Sequence, residues 1–165
     1  NRHAHRLPQP RAAQLAAASQ WQASLRAAHT RGMPILAECG GMMALAESIC
    51  DKSGQYWPMA GLLPGGIVMQ PRLAALGPQS WRTAHGTLRG HAFHFSRFDT
   101  TLAPLTHTQK HTPVASNATS GEAIYRIGNL TASYFHAWFP SCPRSTASLF
   151  LPQPVNQPTR IQEPA

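Results

Sequence analysis

Apolar residues recur at helical spacing near the start of the chain. Between residues 11 and 31 they are three or four positions apart, which places them along one face of an amphipathic helix. These positions are Leu15, Ala18, Trp21, Leu25 and Ala28. Gly32 follows directly and predicts the helix end, because glycine readily adopts the backbone conformation that closes a helix. The pattern therefore predicts one continuous helix that packs on the domain through this face.

A short apolar strand, a cysteine and two glycines follow this helix. Residues 33–37 predict the strand, and residues 41–49 predict a short helix with an apolar buried face. Cys39 lies at the corner between them, where small neighbours allow an abrupt strand-to-helix turn that exposes the side chain. The small neighbours are Ala37, Gly40 and Gly41. This arrangement is typical of nucleophiles.

Two further features of the corner favour chemistry at Cys39. A thiol at a helix N-terminus lies near unpaired N–H groups, so we expect its pKa to be lowered. The N–H of Gly40, the next residue, points to the place where an oxyanion forms when a thiolate attacks a carbonyl. A buried structural cysteine in a glycine-rich turn would leave the same pattern, and this alternative stays open.

Beyond residue 51, proline and glycine interrupt short segments and predict strands and loops. Strands are predicted at residues 88–95 and 123–139, the second interrupted by a turn at Gly128 and Asn129. The polar residues 100–121 between them predict a long loop or a weak hairpin. Strands that alternate with flanking helices indicate an α/β domain.

The end of the chain differs in composition. Proline becomes frequent from residue 140 and the periodicity is lost, so residues 151–165 predict a disordered tail. We therefore divide the chain into a partial domain at residues 1–142 and a proline-rich, disordered tail at residues 143–165.

The length and composition fit a single globular domain. The chain has 165 residues, of which 42% are hydrophobic, and no apolar run reaches the roughly 18 residues that span a membrane. With no signal-peptide pattern, we expect a cytoplasmic protein. The three cysteines are widely spaced and include no CxxC pair, so reduced thiols are expected rather than disulfides or a zinc–thiolate site.

The net charge of +8 raises the question of nucleic-acid binding. The 14 basic residues outnumber 6 acidic ones, but they are spread singly and form no basic run. We therefore expect no specific binding to nucleic acid.

The nine histidines of the chain are candidate metal ligands or catalytic groups. His91 and His94 lie three apart in a predicted strand and so face opposite sides, which disfavours a shared metal ion. His107 and His111 have helical spacing in a segment whose threonines and proline disfavour a helix. No metal site is predicted. His136 ends an apolar strand, where it is either a packed core residue or the base that partners Cys39.

Four segments in one order carry a family resemblance. They are Ala37-Glu38-Cys39-Gly40-Gly41, Leu63-Pro64-Gly65 with Met69 and Arg72, Arg89-Gly90-His91 with Phe93-His94-Phe95-Ser96-Arg97, and Ala132-Ser133-Tyr134-Phe135-His136 with Phe139. Over about residues 7–142, this set resembles the C-terminal glutamine amidotransferase domain of the cobyrinic and hydrogenobyrinic acid a,c-diamide synthases of cobalamin biosynthesis.

The resemblance implies a flavodoxin-like class I amidotransferase fold, with three layers around a central, mostly parallel sheet, incomplete at its N-terminus. It implies that Cys39 attacks glutamine, that His136 transfers protons and that Gly40 contributes to the oxyanion hole. His91 would lie near this site. In the family, the ammonia passes to a synthetase domain that uses ATP and Mg²⁺ to activate corrinoid carboxylates, so this chain itself would carry no cofactor.

Three departures from the family pattern affect these expectations. The wider class I pattern has a glutamate two residues after the catalytic histidine, where this chain has Trp138. Residues 7–11 replace a glycine-containing loop that supplies a second oxyanion donor. Third, against the family pattern, we expect this chain to lack the synthetase domain and the first strands.

We therefore expect little glutaminase activity from the chain alone, and possible self-association through unpaired strands. The expected partners are glutamine and, through the missing domain, a corrinoid. Two alternatives stay open: a non-catalytic remnant or interaction module, and the amidotransferase part of a cobyric acid synthase.

Overall fold

The structure is a computed structural model that describes residues 12–110 and 120–152. Its helices are α1 (Ala12–Ala17), α2 (Ser19–Thr30), α3 (Gly40–Leu45) and α4 (Pro143–Leu149), with a short 3-10 helix at Phe139–Ser141. The first strands are β1 (Ile35–Glu38), β2 (Ala46–Cys50), β3 (Tyr56–Pro58), β4 (Leu63–Met69), β5 (Ala75–Thr83) and β6 (Gly86–His94). The later ones are β7 (Ser96–Asp99), β8 (Thr106–Lys110), β9 (Ser120–Ile127), β10 (Leu130–Ser133) and β11 (Phe135–Ala137).

The predicted N-terminal helix is divided into α1 and α2 at Ala18, whose φ of −81° and ψ of 58° interrupt the helical path. Trp21 is 43% exposed, whereas the neighbouring Gln22 is buried and its Nε2 donates to the Leu15 carbonyl at 2.8 Å. Trp21 was therefore wrongly placed on the packed face of the helix. Gly32 ends the helix as predicted, with φ at 71° and its N–H donating to the His29 carbonyl.

The helix predicted at residues 41–49 is shorter than expected. α3 ends at Leu45, and Ala46–Cys50 form strand β2 instead. Met42 and Leu45 are buried as predicted. Ile49 is also buried, but on β2, because an apolar residue at this spacing suits a buried strand as well as a helix.

A seven-stranded sheet carries the site, in the order β1-β10-β9-β8-β5-β6-β11. β10 and β11 are separated in sequence by Tyr134 alone but lie far apart in this order, so the sheet curls until its ends approach each other. β1 runs parallel to β10, and every other described pairing in this sheet is antiparallel. The mostly parallel sheet that we expected is therefore wrong, because hairpin turns replace most helical crossovers in this chain.

A second sheet has the order β3-β2-β4-β7. Its β2 and β4 are parallel, while the two outer pairs are antiparallel. The larger buried core lies around α3 and joins residues of both sheets. It includes Ala37, Met42, Leu45, Ile49, Leu63, Ile67, Leu130 and Ala132. This core fixes α3, and with it the strand-to-helix corner.

The strands predicted at residues 88–95 and 123–139 are confirmed as β6 and as the set β9, β10 and β11, with Gly128 in the turn at φ 57°. The tail predicted from residue 143 is wrong for its first seven residues, which form α4. Leu149 on α4 is buried, and the Ser145 hydroxyl lies 2.7 Å from that of Thr83. Residues 153–165 and the segment 111–119 lie outside the described residues.

None of the helices in the described part of the chain combines the length and the apolar character that a membrane crossing would require.

Candidate active site

Cys39 lies at the predicted strand-to-helix corner in a strained backbone conformation. Its φ of 45° and ψ of −106° make it the one residue other than glycine with positive φ in the described ranges. Its N–H donates to the Ser133 carbonyl at 2.8 Å, and its own carbonyl accepts from the Met43 N–H at 3.0 Å. The first bond ties the corner to β10, and the second belongs to α3. Strain of this kind persists only where the surrounding structure enforces it, and it is common at functional sites.

The small residues beside Cys39 leave space above the corner. A Cβ placed on Gly40 would meet no atom within 4 Å. A Cβ on Gly41 would touch only the Ala37 side chain, at 3.8 Å. The described residues therefore leave open space on the Cβ side of Gly40.

The thiol of Cys39 is half-buried and its Sγ lies 3.9 Å from the Phe93 carbonyl oxygen. Burial raises the pKa of this thiol, and the negative charges of Glu122 and Glu38 raise it further, although the Gly40 N–H acts in the opposite direction. Our expectation of a lowered pKa was therefore wrong. The N-terminus of a six-residue helix lowers the pKa of the thiol too little to offset burial, and the two nearby carboxylates add to the effect of burial.

His136 lies on β11, which is tied to the residue before the corner. The Glu38 carboxylate accepts the Ala137 N–H at 2.9 Å, which holds β11 beside the end of β1. Opposite His136 on β6 is His91, and their rings are stacked with centroids 5.0 Å apart and planes 14° apart. The structure thus brings the predicted site residues to one region, but within the described residues no hydrogen bond joins Cys39 to His136.

Two of the three departures from the family pattern are at Trp138 and at residues 7–11. Trp138 is 59% exposed and its backbone N–H donates to the Arg89 carbonyl at 2.7 Å, so this position contributes no carboxylate. Residues 7–11 replace the family loop that supplies a second oxyanion donor, and they lie outside the described residues.

A buried polar cluster close to the corner was not found from the sequence. His94 is buried, and its ring stacks on that of Tyr134 at a centroid distance of 3.8 Å. Its Nε2 lies 3.3 Å from a Glu122 carboxylate oxygen, and its Nδ1 lies 2.8 Å from the Ser96 carbonyl oxygen. The three side chains line a cavity of about 490 Å³ between the two sheets. The alternation along β6 pointed to a buried His94, but nothing in the sequence connected it with Glu122.

His91 is exposed and His94 is buried, so the two histidines face opposite sides of β6 as predicted. Among residues 12–110 and 120–152, no group of three His, Cys, Asp or Glu side chains could hold a metal ion. His111, considered with His107, lies outside this part of the chain.

A mixed α/β domain with a cysteine at a strained strand-to-helix corner is the arrangement of enzymes that attack carbonyl carbons with a thiolate. The chain belongs to the family of CobB/CobQ-like glutamine amidotransferase domains, whose family model matches residues 8–143. The predicted class I glutamine amidotransferase fold is thereby confirmed.

Curated relatives agree with this assignment. The chain is 53% identical over 146 residues to a cobyrinate a,c-diamide synthase of Herminiimonas arsenicoxydans, which covers 88% of the chain and 32% of that relative. It is 43% identical over 129 residues to the hydrogenobyrinate a,c-diamide synthases of Stutzerimonas stutzeri and Pseudomonas aeruginosa, with 78% of the chain and 29% of each relative covered. The chain thus spans about a third of the length of these relatives.

Proposed function

We propose that this chain is the glutaminase part of a corrinoid a,c-diamide synthase and that it releases ammonia from glutamine. The observation that carries the proposal is the strained backbone of Cys39, which holds the thiol beside the Gly40 N–H at the strand-to-helix corner. The names of the relatives, which are cobyrinate and hydrogenobyrinate a,c-diamide synthases, support the corrinoid as the acceptor.

The reaction would begin when His136 takes the proton of the Cys39 thiol and the sulfur attacks the side-chain amide carbon of glutamine. The negative charge then develops on the amide oxygen, next to the Gly40 N–H. The amine leaves as ammonia with the proton that His136 returns, and a thioester remains on Cys39. His136 next takes a proton from water, whose oxygen attacks the thioester. The carbon–sulfur bond then breaks, glutamate leaves, and His136 returns the proton to the Cys39 sulfur.

The corrinoid carboxylate must be activated before ammonia can replace its oxygen, and the family uses ATP and Mg²⁺ for this step. The residues of this chain do not fit those groups. The sequence contains no Gly-x-x-x-x-Gly-Lys phosphate loop, and the described residues contain no candidate metal cluster. We therefore propose that ATP, Mg²⁺ and the corrinoid bind to another part of the enzyme.

One observation favours the alternative of a non-catalytic domain. The pKa of Cys39 is raised by burial and by nearby carboxylates, and the thiol contacts a carbonyl oxygen rather than His136. An amidotransferase part of a cobyric acid synthase would share the same glutaminase chemistry. The experiment below decides between a catalytic and a non-catalytic domain.

The test uses a diazoketone analogue of glutamine, which alkylates a thiol with loss of dinitrogen, followed by mapping of the modified cysteine. We expect Cys39 to react fastest, because only the glutamine site holds the reagent there, and we expect excess glutamine to protect it. Iodoacetamide is the matched control. It should prefer Cys142, whose pKa is lowered by hydrogen bonds from Ser145, while the buried Cys50 reacts slowly with either reagent.

Cys39→Ser should abolish labelling by the analogue, and Cys142→Ser should leave it unchanged. Equal labelling of the three cysteines by the analogue, without protection by glutamine, would refute the proposed function.

A further inference from the structure

The imidazole of His136 lacks the partner that such a base normally has. In cysteine and serine hydrolases a carboxylate usually accepts a hydrogen bond from the catalytic imidazole and fixes its orientation and its tautomer. Within the described residues, no carboxylate is hydrogen-bonded to His136. Trp138 stands at the expected glutamate position, and the Glu38 carboxylate is engaged by the Ala137 N–H.

The ring of His91 is stacked on that of His136 instead. His91 is its partner in the antiparallel ladder between β6 and β11, so the two side chains project from neighbouring strands on the same side of the sheet. Their planes are within 14° of parallel and their centroids are 5.0 Å apart. This is the geometry of an offset stack, in which one flat side chain restricts rotation of the other.

The strands that carry the two rings are held by hydrogen bonds next to the stack. Ala137, next to His136, is bound to Glu38, and the Trp138 N–H donates to the Arg89 carbonyl. Phe93, two residues beyond His91, supplies the carbonyl oxygen that lies 3.9 Å from the Cys39 thiol. The same strand therefore lines the thiol and supports the ring of the base.

We propose that His91 is a positioning residue: its ring holds the imidazole of His136 in the orientation that a carboxylate would otherwise fix. The proposal rests on the proposed function, in which His136 is the base. His91 acts here through its flat face and not through its nitrogens. It is also exposed, so replacing it removes no buried packing from the core.

The main experiment measures the rate at which the diazoketone analogue of glutamine modifies Cys39 in the full chain. His91→Ala should lower this rate about 2- to 10-fold, which corresponds to the loss of one aromatic stack. His91→Phe should restore most of the rate, because phenylalanine keeps the flat ring and has no proton to exchange. His107→Ala, at an exposed histidine on β8, is the control and should match the wild type.

A second measurement does not depend on catalysis. NOE contacts from the His136 ring protons show whether that ring keeps one orientation in solution. We expect one defined set of contacts in the wild type and in His91→Phe, and an averaged set in His91→Ala.

The two measurements separate the possible failures. An unchanged rate and an unchanged His136 spectrum in His91→Ala would overturn the positioning role. It would also be overturned if His91→Phe were as slow as His91→Ala, since His91 would then act through its nitrogens. A wild-type chain that is not labelled, but whose His136 ring orientation still depends on the ring at position 91, would refute the proposed function and support the stack.

Discussion

At the scale of single residues, the surroundings of Cys39 make its thiol harder to ionise, because burial and two carboxylates raise its pKa. The small residues Ala37, Gly40 and Gly41 indicated a corner at Cys39, and the corner is present with φ at 45°. The pKa shift has the opposite sign to the predicted one. Burial and Glu122, which is far away in sequence, decide the shift, and neither can be deduced from the residues next to the cysteine.

A prediction at this scale concerns the base. His136→Ala should slow the alkylation of Cys39 by the glutamine analogue and move its pH profile to higher pH, because a nearby imidazolium stabilises the thiolate. The rate constant would be measured from neutral to alkaline pH for the wild type and the variant. His107→Ala serves as the control. A larger shift of the profile in His94→Ala would show that the base was assigned to the wrong histidine.

At the scale of elements, predictions that depended on local pattern succeeded better than those that depended on packing. Alternation and turn residues placed β6 and the strands β9 to β11 correctly. The apolar spacing failed at Trp21, because the neighbouring Gln22 is buried in its place. The helix at residues 41–49 failed because its second half pairs with β3 and β4. Strand pairing depends on segments that are distant in sequence, so a local window cannot detect it.

The pairing of β6 with β11 requires a glycine at position 90. A Cβ there would collide with the His136 carbonyl oxygen and would lie 2.6 Å from the Phe135 ring. Gly90→Ala should therefore destabilise the chain by about 1–3 kcal/mol and displace β11. Urea unfolding measures the first effect, and the labelling rate of Cys39 measures the second.

Gly41→Ala is the matched control for this prediction. Its new Cβ makes only an ordinary contact, and alanine is favoured over glycine in a helix, so stability should not fall. A Gly90→Ala chain as stable and as readily labelled as the wild type would contradict the close approach of β6 and β11.

At the scale of the whole molecule, three parts of the seven-stranded sheet that are distant in sequence meet at a polar cluster that local reasoning could not assemble. His94 comes from β6, Glu122 from β9 and Tyr134 from the link between β10 and β11. The sequence identified an α/β domain of this family because the short motifs occur in order. It did not predict that most strands pair antiparallel, since strand direction follows from the connections and not from composition.

This cluster predicts how stability depends on pH. Burial opposes ionisation of Glu122, but its contacts with His94, Gln79 and Lys110 outweigh burial and hold its pKa below the ordinary range. The folded chain therefore binds fewer protons than the unfolded chain in acid, so the free energy of unfolding rises with pH there and falls as pH drops through the folded pKa.

Glu122→Gln should flatten this rise, as measured by urea unfolding at several acidic pH values. His94→Gln should flatten the rise partly. The double variant should have nearly the same pH dependence as Glu122→Gln alone, because the two groups interact. A Glu122→Gln curve parallel to that of the wild type would contradict the lowered pKa.

The hydrogen bond from Ala137 to Glu38 joins residues 99 positions apart. During synthesis, the strand that precedes Cys39 leaves the ribosome long before β10 and β11 exist. The parallel pairing of β1 with β10 must also wait for this distant segment. Contacts of such long sequence separation form late and slowly. The corner at Cys39 is thus made well before the strands that complete it, so a nascent chain that lacks β10 and β11 would carry an ordinary cysteine at this position.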